Sequence, residues 1–476
     1  MPISQQLAKN SAIQIIGKFL ATIFGVITLG ILTRYMGAAG YGQLTTILTF
    51  TAIFAIVVDL GLTLTTVQMI AEPEADEKTL LGNLMSLRLV SSIIFLSLAP
   101  LAAIFFPYES IIVIGIAIGA FSYIFGTSSQ MLIGIFQKRL IMDRAIAAEL
   151  INRLVVLLGA ALAPSFGLGL LGIMWLFVLG NGLNLVIILY FARQQIRFRL
   201  QWQTQIIKSI IKRSWPIGAS IFFNLIYLRG DILFMSIFRS DAEIGLYGAA
   251  YKVVDVITVV PVMFMGLVLP ILISYFVSKR SDDFKKLLQQ TFDFFAIFSI
   301  PIIFGSIATG VPLLEMISGS EFRESGEVLA ILGPAAVVVF FNSLFGHAIV
   351  AVHKQKPMVL AYFAVAIITV IGYLIYIPQY GMWAAAWWTL ISEILIGLIS
   401  FIVVWRVSSF LPQVGQLLRA LIASLIMYFV LMVMPEIQVL LQILFGAAVY
   451  AAVLIMIGGP QPKDIFNLFA KTEIGQ

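Results

Sequence analysis

The chain has 476 residues, of which 61% are hydrophobic and only 11% charged. A soluble domain carries about a quarter charged residues, so this composition excludes a soluble globular protein, and its hydrophobicity excludes disorder. With no cysteine and two histidines, His347 and His353, disulfides and thiolate or histidine-rich metal sites are excluded, and no metal or other cofactor is expected. The net charge of +6 lies between apolar runs, the pattern of basic cytoplasmic loops rather than of nucleic-acid binding.

The first apolar run, about 11–33, is too long for the core of a cleavable signal peptide and lacks a small-residue cleavage site, so it reads as a retained helix. Thirteen more runs of spanning length follow, at about 42–67, 83–106, 110–136, 145–164, 168–192, 214–238, 246–276, 291–313, 327–351, 357–378, 382–405, 414–434 and 438–458. An all-α polytopic membrane protein of about fourteen transmembrane helices is expected. A porin-like barrel is excluded, because its strands would be about ten residues of alternating polarity. Basic residues alternate between the loops. Taking Arg88 with the loop that precedes it, 22 fall on one side against three, Arg34, Arg239 and Arg323, on the other; four lie within spans. The positive-inside rule then places both termini in the cytoplasm.

The longest charged connection divides the chain. Residues 1–193 form an N-terminal lobe of six spans, 194–213 a cytoplasmic amphipathic linker, 214–406 a second lobe of six spans, and 407–476 two additional spans and a tail. QIIKSIIKR, within the linker, has isoleucines at helical spacing with basic residues between them, as in a helix lying on an anionic leaflet; a plain solvated linker is the alternative. In the tail, Ile465, Phe466, Leu468 and Phe469 suit one side of a second surface helix. A weak repeat links ILTRYMGAAGYGQLTTILTF to ILFMSIFRSDAEIGLYGAAYKV at an offset of about 206 residues. An even number of spans between the copies gives them the same orientation, with a pseudo-two-fold axis along the membrane normal and a cavity between the lobes.

Ionisable groups inside spans are costly and mark substrate or ion pathways. Lys18 lies about 10 Å into the first span by helical rise, so it either faces a cavity or snorkels. Arg153 is similarly placed, with Glu149 four residues earlier as a same-face partner. Arg229 lies deeper. Asp231, two residues on, cannot share its helix face and is assigned a partner on another helix, Lys252 being the first choice; Lys252 with Asp255, one turn on, is the alternative. Glu393 lies near the middle of the twelfth span, either binding a proton or held neutral by hydrogen bonds. Asp59 ends the core of the second span, capping backbone or pairing with a basic group. Asn181 and Asn342 either line the cavity or bond across helices. No Walker loop, Gly-x-Ser-x-Gly elbow or HExxH is present, so no enzymatic activity is expected.

The opening AKNSAIQIIGKFLATIFGVITLGILTRYMGAAGYGQLTTI, VVDLGL at 57–62, MIAE at 69–72 and RGDILFMSIFRSDAEIGLYGAAYKVVD at 229–255 together resemble the bacterial polysaccharide-biosynthesis flippases of the multidrug/oligosaccharidyl-lipid/polysaccharide exporter superfamily. The resemblance implies two lobes around a cationic cavity working by alternating access. It implies a lipid-linked oligosaccharide diphosphate as substrate, and polymerase and chain-length machinery as partners besides membrane lipids. It offers Lys18, Arg153, Arg229 and Lys252 as substrate contacts, and Asp59, Asp231, Asp255 and Glu393 for ion coupling or charge pairing. A cation-coupled multidrug exporter of the same superfamily and a membrane enzyme of polysaccharide assembly are the competing readings.

Overall fold

A computed structural model describes residues 3–59, 61–72, 76–435 and 437–459; the tail helix expected around residues 465–469 lies outside them. Their regular structure is helical throughout: α1 (Ile3–Asp59), α2 (Leu62–Ala71), α3 (Glu77–Ala103), α4 (Ser110–Lys138), α5 (Met142–Leu162), α6 (Leu170–Gln195), α7 (Thr204–Phe238), α8 (Asp241–Val277), α9 (Ser281–Ser318), α10 (Arg323–Ala351), α11 (Gln355–Ser408), α12 (Gly415–Val433) and α13 (Val439–Met456), with one 3-10 turn at Ser320–Phe322. A helix satisfies its backbone hydrogen bonds within itself, so apolar runs of this length become helices in a bilayer. Among the described residues, eleven helices are long and apolar enough to cross a membrane. Two of these, α1 and α11, are each two helices joined at a non-helical glycine: Gly37 at φ 67° and Gly381 at φ 53°. Both angles lie in the left-handed region that residues with a Cβ avoid. Counting α1 and α11 twice and adding α7, with 35 residues, the described residues supply the fourteen expected crossings.

Some boundaries shift. The second apolar run does not continue to residue 67 as one helix: it stops at Asp59, Gly61 takes φ 77°, and α2 begins afresh. The QIIKSIIKR segment is not a separate surface helix. It forms the opening turns of α7, and Ile207 and Ile210 are buried in a protein core with Ile188, Ala192 and Ile196. The face carrying Ile207 and Ile210 meets protein rather than lipid, while Ile211 of the same run is exposed.

The chain separates into two compact units, Met1–Gly248 and Ala249–Gln476. In the first, α4 packs on α6, α3 and α1, and α5 packs on α1 and α6. Its cores lie around Leu81, Leu132 and Phe136 toward one end and around Ile47, Ile116 and Met174 toward the other. In the second, α9 and α10 pack together, α11 packs on α10, and α12 and α13 attach to α9. Phe292, Phe295 and Phe340 belong to one of its cores, and Tyr450 Oη of α13 donates to the Ile297 carbonyl at 2.6 Å.

The repeated hairpin has a defined register within the first unit. A Cβ on Gly42 would lie 1.7 Å from the Asp241 carbonyl oxygen and 2.9 Å from the Gly245 nitrogen. A Cβ on Gly245 would lie 2.0 Å from the Ala38 carbonyl oxygen and 2.9 Å from the Gly42 nitrogen. Each glycine thus meets the carbonyl four residues before the other, as equivalent positions across a two-fold axis must. Gly42 corresponds to Gly245, an offset of 203 (245 − 42), rather than to Gly248 as the Gly-Tyr-Gly match suggests. At this offset Gly37 corresponds to Ser240, one of the two residues separating α7 from α8, so both copies break at the same place.

Gly42→Ala forces backbone apart and should cost at least ~1–3 kcal/mol, read as a lowered Tm in detergent. Gly25→Ala, which meets nothing within 4 Å, should leave Tm unchanged. Equal melting of the two variants would refute the close approach.

Candidate functional site

Charged side chains inside the spans define the site, and their partners decide what each is free to do. Lys18 of α1 reaches Glu149 of α5, with Nζ 3.2 Å from Oε1 and Oε2. The carboxylate one turn before Arg153 is therefore taken by a lysine 131 residues away rather than by Arg153. Arg153, near the middle of the 21 residues of α5, is exposed and makes no hydrogen bond or ion pair among the described residues. Beside it, Asn152 Nδ2 donates to Asn181 Oδ1 at 3.0 Å, and Asn181 Nδ2 donates to Ser122 Oγ at 2.8 Å. Asn181 thus bonds across helices α5, α6 and α4.

Asp59 performs both tasks open to it. Its Oδ1 accepts from the Thr63 backbone N–H at 3.3 Å, across the break at Gly61, and from Arg88 Nη2 at 2.5 Å. Arg88 was grouped by sequence with the loop charges; it is in fact a fully buried side chain of α3. Its Nη2 also donates to Thr63 Oγ1 at 2.7 Å, while Nε and Nη1 have no hydrogen-bond partner among the described residues. Its position twelve residues into α3 resembles that of other loop-proximal basic residues, so nothing in the local sequence distinguishes it.

In α7, Arg229 is half-buried and close enough to the half-buried Tyr123 of α4 to act on it electrostatically. Asp231 is fully buried; Tyr247 Oη of α8 donates to its Oδ2 at 2.5 Å, and the Ile232 amide donates to Oδ1 at 2.7 Å. Tyr247, itself fully buried, is a partner that sequence reasoning missed, having been read only as part of the repeat. Near the same hairpin, Gln43 Nε2 donates to Asp241 Oδ2 at 3.0 Å, and Tyr108 and Ser236 share a hydrogen bond of 2.7 Å.

The second unit holds the remaining charges. Lys252 Nζ lies 3.7 Å from Asp255 Oδ2, the intrahelical alternative of the two pairings considered. Glu393 of α11 is 3% exposed. Asn342 Nδ2 of α10 donates to its Oε2 at 2.6 Å and to its backbone carbonyl at 2.9 Å. Among the described residues no group of three or more His, Cys, Asp or Glu side chains is placed to hold a metal ion.

Long apolar helices with paired charges inside their spans, two of them broken at glycine, define a polytopic helical membrane fold. Solved structures share it. The lipid II flippase MurJ in an inward closed conformation superposes with a TM-score of 0.77 at 16% identity, covering 93% of this chain and 98% of that one. An inward-facing multidrug resistance MATE family transporter of the MOP superfamily gives 0.64 at 14% identity, covering 82% and 94%. A MOP superfamily transporter from Pyrococcus furiosus, described as having a binding pocket of reversed polarity, gives 0.61 at 12% identity, covering 85% and 95%. No curated protein matches by sequence. A family model described as polysaccharide biosynthesis protein matches residues 7–276, more than half of the chain, and the chain belongs to that family.

Removing one member of a buried ion pair strands the other. Asp59→Leu should cost about 3–5 kcal/mol, seen as a lower Tm. Asp59→Leu with Arg88→Met should recover most of the loss; a double variant no more stable than Asp59→Leu would contradict the pairing.

Proposed function

We propose that this protein translocates a lipid-linked oligosaccharide diphosphate across the bacterial cytoplasmic membrane by alternating access. Two lobes, residues 1–193 and 214–406, rock about a cationic central cavity, with the linker and both termini cytoplasmic and the last two spans appended. Membership of the polysaccharide biosynthesis family and the fold shared with a lipid II flippase support this reading. The observation that carries it is Arg153: a mid-span guanidinium whose neighbouring carboxylate is committed elsewhere. An arginine at that depth is costly unless it meets an anion, and a diphosphate takes its planar fork in bidentate fashion.

Lys18, Arg229 and Lys252 complete the cationic set in this proposal. A diphosphate cannot cross hydrocarbon bare, because its charges lose their hydration. The cations replace part of that hydration, and their existing acidic partners, Glu149 for Lys18 and Asp255 for Lys252, keep binding moderate enough for release. The lipid tail stays in the bilayer while the headgroup crosses. Glu393, buried against Asn342, is the proposed proton-coupling carboxyl, with Asp59, Asp231 and Asp255 as the other carboxylates of the coupling and pairing set. The delivered unit passes to polymerase and chain-length machinery.

In a deletion strain, lipid-linked repeat units should accumulate on the cytoplasmic side, and Arg153→Ala or Arg229→Ala at normal protein levels should fail to restore export, whereas Arg153→Lys restores part of it. Wild-type export by either alanine variant removes that residue from the cavity role. Normal export with drug sensitivity alone would favour a multidrug exporter; units translocated but not polymerised would favour an assembly enzyme.

Glu393→Gln preserves an acceptor for Asn342 and should leave folding intact. Transport into vesicles by that variant should lose its response to an imposed pH gradient. A response equal to wild type would remove Glu393 from coupling.

A further inference from the structure

A cavity of about 940 Å³ lies at the end of α6. Three arginines line it: Arg193 in the last turn of α6, and Arg197 and Arg199 in the segment leading to α7. That segment, residues 196–203, is not helical. Alternate side chains point to opposite faces in an extended chain. Ile196 and Phe198 accordingly turn into the core of the first unit, while Arg197 and Arg199 are exposed.

The segment is held in place. The Gln201 amide donates to the Gly82 carbonyl at 3.3 Å, and the Gln203 amide donates to Asn83 Oδ1 at 2.6 Å. A Cβ on Gly82 would lie 2.2 Å from the Arg199 carbonyl oxygen, so only glycine lets the segment lie so close to α3. None of the three guanidinium groups makes a hydrogen bond or ion pair among the described residues. The nearby acids are committed: Glu77 to Lys138 and Arg139, and Glu72 to Arg213.

The other wall is apolar. Val186, Leu189 and Tyr190 line the cavity, and Val186 and Tyr190 continue an exposed stripe of α6 that includes Leu179 and Leu183. Trp202, in the same extended segment, is 53% exposed, as aromatic anchors are at a membrane–water boundary. A cationic rim above an exposed apolar stripe matches a ligand with an anionic head and an acyl chain.

We propose that this groove binds an anionic phospholipid of the surrounding leaflet, Arg193, Arg197 and Arg199 holding its phosphate while Val186, Leu189 and Tyr190 carry its chain. Free phosphate satisfies the arginines but leaves the apolar stripe bare, which is why the occupant is a lipid.

The test uses the full chain in nanodiscs of phosphatidylcholine with a minor fraction of phosphatidylglycerol, with retained lipid counted by native mass spectrometry. Each basic residue near an anionic leaflet contributes about a fivefold gain in affinity. Arg193→Gln/Arg197→Gln/Arg199→Gln should therefore weaken phosphatidylglycerol binding roughly a hundredfold, while the three Arg→Lys replacements retain most of it. Lys208→Gln/Lys212→Gln/Lys286→Gln, which removes three charges elsewhere, should change nothing; an equal loss there would show diffuse attraction and overturn the site. Phosphatidylglycerol retained at wild-type affinity by the triple glutamine variant, equal retention of phosphatidylcholine, or displacement by millimolar inorganic phosphate would each overturn the proposal.

Discussion

The cost of an ionised group in a low-dielectric interior governs this structure. A charge inside a span must be paired, hydrogen-bonded or met by a ligand, because water is not there to solvate it. Each acidic group considered within the spans has a protein partner: Asp59 has Arg88 and Thr63, Glu149 has Lys18, Asp231 has Tyr247, Asp255 has Lys252 and Glu393 has Asn342. Those pairings link α1 to α5, the end of α1 to α3, α7 to α8, and α10 to α11. All of these contacts except Lys252–Asp255, which lies within α8, therefore also fix the position of a helix. The allocation also explains why Arg153 stands apart, since the carboxylate one turn away is already used.

The helices were legible because hydropathy and length decide them. The chain places spanning runs in an order that its helices follow, and the two merged helices part at the turn regions between runs. Partners were not legible, because pairing is tertiary. Glu149 and Arg153 satisfy the i,i+4 rule, which states only that two side chains are able to meet. An exposed pair of that kind contributes a few tenths of a kcal/mol, too little to keep Glu149 from a lysine on a packed neighbouring helix. Arg88 shows the same limit: position relative to a loop suggested solvent, and tertiary packing gave burial with Asp59.

Periodicity has a related blind spot in the segment before α7. Ile207 and Ile210 lie on one face, as their spacing requires, but spacing does not distinguish lipid from protein as the apolar medium. The shorter extended piece ahead of it, with no helical period to reveal it, carries Arg197 and Arg199, which make no hydrogen bond or ion pair among the described residues. The repeat was detected by composition and misregistered for the same reason. A Tyr-Gly match is a local likeness, whereas correspondence of Gly42 with Gly245 is set by which backbones touch.

The glycine contact and the charge pairs act together at the first hairpin. Backbones that approach closely leave no room for side chains between them, so polar groups there must be satisfied by neighbours at the margins. Gln43 with Asp241 and Tyr108 with Ser236 are such bonds, and the buried Asp231–Tyr247 bond ties α7 to α8 immediately behind them. A hairpin held by short polar contacts around a glycine seam resists small displacement, since interiors are close-packed and do not deform continuously. Movement of such an element must break those bonds together or carry the hairpin as one body. The second course costs less, because every polar group within the body keeps its partner.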